Sequence, residues 1–464
     1  MSFKHPMMNH STPILALLAF SLSATTASTH ADSNAPDAHP TVVNAKPYSL
    51  QQAIAVALEQ NPNIQMTHER IHQAEAQLGI AKSAFYPQVN TRLSYEYSDN
   101  PSRAFGMIIS QRRLNMNTMD FNHPGGVSNY RPEVTATMSL FNGGQDAAMK
   151  KAAELGVTSA ALQESAMRNQ LIEAVTSAYY GILAAEEAHK VAERAIEAVT
   201  GELKQSQIRY DAGTLLKSDL LSLKTQLAEA QDAEIQTQNA IELARTSLKT
   251  LLGLDLQEEL KIVEASVSAL PATVAPITTL IDQALQQRPE MQAAALKVSI
   301  AEQQLKAAQG AYLPKANAYV GYGSDSQNLA YSTSRDNVTV GVAVEVNVFA
   351  GFAHSEQINK AQSQFNEAQL AVKQIQLEIE NQVKSAQLQL SSAMARLNVT
   401  TSAVAQAEEA LRLVNEQRQA GTETVTRYLT TEAARDQAHS RVIAARYDAL
   451  QAEAQLNQAL GAWK

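Results

Sequence analysis

The chain repeats itself, and that repeat limits its possible folds more than any other feature. Ala57-Leu58-Glu59-Gln60-Asn61-Pro62 matches Ala284-Leu285-Gln286-Gln287-Arg288-Pro289 at an offset of 227 residues, and Ala84-Phe85-Tyr86-Pro87 matches Ala311-Tyr312-Leu313-Pro314 at the same offset. Further on, Phe141-Asn142-Gly143-Gly144 matches Phe349-Ala350-Gly351-Phe352, Ala212-Gly213-Thr214 matches Ala420-Gly421-Thr422, and Leu252-Gly253 matches Leu460-Gly461, all at an offset of 208. The difference of 19 residues locates one insertion in the first copy, between Pro87 and Phe141. Self-similarity over such a period means that each copy is one structural unit. The first unit covers 48–253 and the second 277–464, with a polar linker over 254–276 that carries Pro271 and Pro276.

Within each unit the apolar period changes twice. The opening helix is predicted from near Ser49 to Pro87, because proline lacks an amide hydrogen and pushes its predecessor out of the α region. After Pro87 and Pro314 the period becomes that of a strand, in which alternate side chains share a face. Val338, Val340, Val342, Val344, Val346 and Val348 point one way, while Thr339, Gly341, Ala343, Glu345 and Asn347 point the other. Val134, Ala136, Met138 and Leu140 against Glu133, Thr135, Thr137 and Ser139 repeat the pattern in the first copy. Four strands are expected, over 88–98, 131–141, 315–323 and 337–349. The spacing then returns to mostly alternating steps of three and four along Ile358, Ala361, Phe365, Ala368, Val372, Ile375 and Ile379, which is coiled-coil spacing. Long helices are predicted over 144–210 and 352–418 and return helices over 214–252 and 422–460, with Gly213 and Gly421 supplying the positive φ of each reversal. The first long helix would reach about 100 Å at 1.5 Å per residue, too far to lie on a small sheet.

Composition narrows the function. Among 464 residues aromatics make up only 5% and Trp463 is the single tryptophan, which suits an elongated helical build better than a compact core. Lys plus Arg is 37 against 46 Asp plus Glu, a net charge of −9 with no long basic run, so the electrostatic footprint of a nucleic-acid binder is missing. With no cysteine there are no disulfides, thiolate metal sites or cysteine nucleophiles. Lys4, the apolar stretch Ile14 to Ala24 and the small residues that follow make 1–31 a secretory signal peptide, cleaved after Ala27 or Ala31, with 32–47 a flexible leader. No run of 18 apolar residues follows, so any membrane span must use strands.

An alternating strand ordinarily marks a half-exposed sheet on a soluble core, but helices this long would not stay over that sheet. Four strands cannot close a barrel, for which about eight are needed, and open edges are not tolerated in lipid. Two chains would pool eight strands and three would pool twelve, both acceptable for an outer-membrane barrel.

The paired Pro87 and Pro314 before strands, the Phe141-Asn142-Gly143-Gly144 junction, and Arg209-Tyr210-Asp211-Ala212-Gly213-Thr214 with Asp219-Leu220 together resemble the TolC-like outer-membrane efflux protein family, over about Tyr48 to Trp463. The resemblance implies an α+β membrane protein, a two-repeat chain of long coiled-coil helices plus four β-strands. It would trimerise into a 12-stranded outer-membrane β-barrel on a 12-helix periplasmic α-barrel. The implied function is the outer-membrane channel of a tripartite efflux or type I secretion system in a Gram-negative bacterium, with no catalysis and no cofactor. Its partners would be two further copies, outer-membrane lipid, a periplasmic adaptor (membrane fusion protein) and an inner-membrane RND, ABC or MFS pump. Gly213, Thr214, Gly421 and Thr422 would then form the periplasmic tip that meets the adaptor, and the insertion from Asn100 to Asn129 would be a long extracellular loop. Tyr210, Asp219, Arg418 and Arg427 are the gate candidates, with Asp219 expected to pair with Arg418 or Arg427. Arg418 stands where the first copy has Tyr210, so the two copies differ at the gate. Polar strand residues such as Glu133, Thr137 and Glu345 are expected to line the pore.

One motif points elsewhere. His68-Glu69-Arg70-Ile71-His72 fits H-E-x-x-H, in which two histidines a helical turn apart bind zinc and the glutamate activates water. A secreted zinc metalloprotease is therefore the rival reading. Against it, the matching segment of the second copy, Ala295-Leu296-Lys297-Val298-Ser299, keeps none of the motif, and no third ligand follows at a family spacing.

Overall fold

The structure, a computed structural model, describes residues 47–117, 119–263, 270–271 and 273–463. The expected signal peptide and nearly all of the leader lie outside the described residues. The first copy runs α1 (Leu50–Gln60), α2 (Pro62–Ser83), β1 (Gln88–Ser98), α3 (Pro101–Ser110), β2 (Val127–Asn142), α4 (Gln145–Asp211) and α5 (Lys217–Leu252). The second runs α6 (Ile277–Gln287), α7 (Pro289–Gln309), β3 (Lys315–Ser324), β4 (Asp336–Glu345), α8 (Ala353–Gln419) and α9 (Val425–Leu460). Among these described elements only α3, in the insertion, lacks a counterpart.

The opening helix is not continuous. Asn61 and Arg288 sit at ψ near 125° ahead of Pro62 and Pro289, so the steric demand of proline breaks each segment in two. Asn61 then caps α2 through Asn63 N–H and donates its amide to Leu251 O at 2.8 Å, which ties the break to the end of α5. At the other end of the unit, β4 stops at Glu345 although the valine alternation continues to Val348. Its partner β3 begins at Lys315, directly after Pro314, so Val346 and Val348 have no ladder to join.

The strands form an antiparallel meander in the order β1-β2-β3-β4, with one irregularity between Ser139 and Phe141. From it α4 and α8 extend as rods of 67 residues each, about 100 Å at 1.5 Å per residue. Neither rod is covered by a single partner. Along α4, α2 packs toward the sheet and the 36-residue α5 packs on the far part; α7 and α9 cover α8 likewise. Ala361, Ile379, Val383, Ala386, Leu390 and Ala393 are buried along α8, and the alanines let the backbones approach closely.

Two apolar cores lie where the short helices α1 and α6 lean on the rods. In the first, Tyr179, Val175, Leu248, Leu252 and Leu450 are fully buried. The Tyr179 hydroxyl donates to Val263 O at 2.5 Å and Tyr48 O at 3.0 Å, tying the start of the first unit and the linker that follows it to the rod. Burial pushes this hydroxyl above the ordinary tyrosine pKa. Leu280, Ala284, Ile379, Val383, Leu390 and Leu460 build the second core.

Rod and strand meet at a glycine contact. Gly143, at φ 58°, carries the chain from β2 toward α4, and its backbone passes so close to Gly310 that a Cβ on Gly310 would lie 2.3 Å from Gly143 O. Neither backbone can yield, so Gly310→Ala should cost about 1–3 kcal/mol by overpacking. A methyl on Gly201 in α4 would meet nothing within 4 Å, and Gly201→Ala should instead stabilise by about 1 kcal/mol through helix propensity. Denaturant midpoints of the two variants should therefore move in opposite directions.

Candidate functional site

The sheet has two unlike faces. The ladder registers Arg92 with Glu133 and Gly323, Asn90 with Thr135 and Gly321, and Gln88 with Thr137 and Tyr319, all on one side. Thr339, Gly341, Ala343 and Glu345 continue that side on β4, where Glu345 lies opposite Lys315. Glu133 is half-buried and accepts from Arg131 Nη2 at 2.9 Å, whereas Thr137 and Glu345 are exposed. The opposite side carries Val89, Leu93, Val134, Met138, Val320, Val338, Val340, Val342 and Val344. No described helix covers it: Val340 is 74% and Val344 68% exposed. An apolar sheet face this large has no place in water. Tyr95, Tyr97 and Tyr130 lie at one end of it and Phe141 at the other, the arrangement of aromatics that flanks the apolar band of membrane barrels. Among the described residues no helix is long and apolar enough to cross a membrane.

Both rods end in the same turn. Gly213 and Gly421 take φ 75° and 77°, and Thr214 and Thr422 each send backbone N–H and side-chain hydroxyl to the carbonyl five residues back, Arg209 O and Gln417 O, at 2.8–2.9 Å. This closes the last carbonyls of each helix. Because Thr214 and Thr422 are used in this way, the return helices start at Lys217 and Val425, three residues later than the pattern suggests. All four turn residues are exposed, and Leu216 beside them is 69% exposed.

The gate candidates are not brought together as expected. Within the chain Arg418 pairs with Glu202 of α4, not with Asp219. Its guanidinium also donates to Asn415 Oδ1 at 3.2 Å and lies 4.4 Å from the centre of the Tyr428 ring. Arg418 and Glu202 are 9% and 6% exposed, so this ion pair is desolvated. Asp219 sits in the first turn of α5, where the helix dipole favours a carboxylate. Arg427 is exposed and contributes its backbone N–H to the Thr424 cap at 3.1 Å; Tyr210 is half-buried at the end of α4. Glu202, Tyr428 and Glu432 escaped the motif reading, although a signal existed. At the offset of 208, Glu202 aligns with Ala410, Tyr210 with Arg418 and Lys224 with Glu432, so the copies exchange charge at this end. Burial lifts the Glu432 carboxyl above its ordinary range and the Tyr428 hydroxyl up to about 12.

The H-E-x-x-H residues lie on α2 with separate partners. His68 Nε2 is 3.0 Å from Glu164 Oε1 and His72 Nδ1 is 3.2 Å from Glu75 Oε2. Among the described residues no cluster of three or more His, Asp or Glu is placed to hold a metal ion.

The family described as outer membrane efflux protein matches residues 53–254 and again 280–462, one match for each copy. The chain belongs to the outer membrane efflux protein family. CyaE of Bordetella pertussis is 24% identical over 68% of this chain, a stretch that spans 63% of CyaE, less than two thirds of its length. The outer membrane protein TolC of Vibrio cholerae is 22% identical over 89% of this chain and 90% of its own. A solved membrane protein of Pseudomonas aeruginosa superposes with a TM-score of 0.76 at 17% identity, covering 89% of this chain and 93% of that one. Outer membrane efflux proteins are non-catalytic channels of the outer membrane with a periplasmic part, and they trimerise and work with periplasmic adaptors and inner-membrane pumps. The fold found here, four strands on paired rods, is that of the family.

Two outcomes follow from the tip. Arg418→Met strands Glu202 as a buried unpaired charge and should destabilise by about 3–5 kcal/mol, whereas Glu202→Leu with Arg418→Met should recover much of the loss. A double-mutant denaturation cycle that showed no coupling would refute the pairing. Glu432 faces Tyr428, Arg435, Asp436 and Glu202, and its raised pKa means that the folded state holds its proton more tightly than the unfolded chain. Its contribution to stability is thus full below the ordinary carboxylate range and lost as pH rises through the folded value. Glu432→Gln should raise the unfolding temperature at neutral pH, with the gain fading on acidification.

Proposed function

We propose that this chain forms a trimeric, passive exit duct of a tripartite efflux or type I secretion system. One observation carries the reading: a four-stranded sheet with two free edges exposes a full face of valine while its other face is polar. Lipid suits the first face and an aqueous lumen the second. The free edges of β1 and β4 leave rows of backbone N–H and C=O groups that hydrocarbon does not tolerate unpaired. Three chains contribute twelve strands, an even number with an interior wide enough for passage. Glu133, Thr137 and Glu345 then face the lumen. The rods extend the duct by about 100 Å, with Gly213, Thr214, Gly421 and Thr422 at the end that meets an adaptor. No bond is made or broken, and the energy comes from an inner-membrane pump of the RND, ABC or MFS class.

At that end Tyr210, Asp219 and Arg427 are the groups of the gate exposed enough to reach a neighbouring copy, while Arg418 braces its own protomer through Glu202. The zinc-protease reading draws no support from His68 and His72, which engage different carboxylates.

Detergent-extracted protein should migrate as a heat-sensitive trimer. Val342→Arg puts a cation against the acyl chains and should cost about 2–4 kcal/mol per protomer if it lies near the midplane, whereas Thr339→Arg on the polar face should assemble and shift ion selectivity. A monomer that stays soluble without detergent, or equal membrane insertion of both variants, would sink the proposal.

A further inference from the structure

The insertion does not project away from the sheet. Ala104, Met107 and Ile108 of α3 pack on Val127 of β2, giving an amphipathic helix whose apolar side is fully used. Arg103 on the same helix pairs with Glu96 of β1. At the end of α3, Gln111 is completely buried and donates to Ser128 O at 2.8 Å and Asn129 Oδ1 at 2.9 Å. Arg112, held at φ 56°, reaches on to Asp336 O of β4 at 3.2 Å. The ladder places Glu96, Val127 and Asn129 on the same side as Glu133 and Thr137, so α3 sits over the end of the polar face at the start of β2, with one side-chain contact each to Glu96 of β1 and Asp336 of β4.

What anchors it is a buried polar network and not chance contact. Asp325, 2% exposed, accepts from Asn129 Nδ2 at 2.7 Å, Arg131 Nη1 at 3.1 Å and Asn337 Nδ2 at 3.0 Å, linking β2, β4 and the end of β3 beneath the helix. Such a network is stabilising only when its members are satisfied together, which favours one fixed position for α3.

We propose that α3 is a constriction built into the outer mouth of the duct, one from each protomer, and that it limits the size of what leaves. The inference rests on the trimeric barrel proposed above, in which the polar face is the lumen. The magnitudes decide the effect: twelve strands about 4.8 Å apart and tilted about 40° make a ring on the order of 24 Å across between backbones. Three helices, each about 10 Å wide with side chains, fill most of that opening. Ile109, on the side of α3 away from the sheet and 45% exposed, points into what remains.

The absence of native cysteine makes the test direct. Single-channel conductance in planar bilayers is measured for the unmodified protein, for a variant with residues 101–113 replaced by a short glycine-serine linker, and for Ile109→Cys and Val342→Cys treated with a charged methanethiosulfonate reagent. The linker variant should conduct about twofold more or better as the open area is restored. Ile109→Cys should lose conductance stepwise on labelling, whereas Val342→Cys, facing lipid, should not respond. If the linker variant fails to assemble, the Ile109→Cys response decides alone. Unmodified channels that conduct while Ile109→Cys labelling changes nothing would overturn the constriction and leave the duct standing. Failure of the unmodified protein to form any channel would remove the duct itself.

Discussion

An open sheet in lipid is the constraint on which everything else depends. Backbone N–H and C=O groups at the edges of β1 and β4 have no water to turn to in hydrocarbon, and the valine face between them has no protein to cover it. The chain cannot satisfy both demands alone. Closing the sheet with copies of itself satisfies the edges, places valine against acyl chains and turns the polar face inward, so that one arrangement answers the backbone, the apolar face and the need for a water-filled path.

The rods inherit their placement from that sheet. Each is joined to a strand by a turn in the left-handed region, at Gly143 and Gly144 in one copy and at Gly351 and Phe352 in the other. The mutual approach of Gly143 and Gly310 locks the end of α7 against the start of α4. Because a rod of 67 residues outruns any single partner, it is covered by several helices in succession, with a core where Tyr179 or Ile379 is buried. Stability is thus spread along the duct through narrow alanine seams.

The two ends of the molecule depart from the symmetry of the repeat, and both departures include buried polar side chains. At the far end of the rods the ion pair of Arg418 with Glu202 and the neighbouring Tyr428 and Glu432 occur once, not twice, per chain. At the sheet end the insertion that spoils the offset is the segment that folds onto the polar face. Duplicated architecture supplies the repeated elements, and these asymmetric residues set the two ends apart.

Much of this was already written in the residue order. The duplication, the helix stops before Pro87 and Pro314, the alternation of Val338 to Val344 and the glycine reversals are local signals, each set by a dihedral or a side-chain period that needs no partner to be read. The break at Asn61 and Arg288 was legible in principle, since proline acts on its own predecessor. Other features belong to the tertiary structure alone. That Arg418 meets Glu202, 216 positions away, depends on how α9 packs on both α8 and α4, and a charged residue chooses its partner by proximity in a desolvated space, not by spacing along the chain. The folding of α3 onto the sheet depends likewise on Gln111 and Arg112 finding acceptors on β2 and β4, two strands brought near each other by β3 between them. Periodicity dictates which faces exist; only packing decides which faces meet.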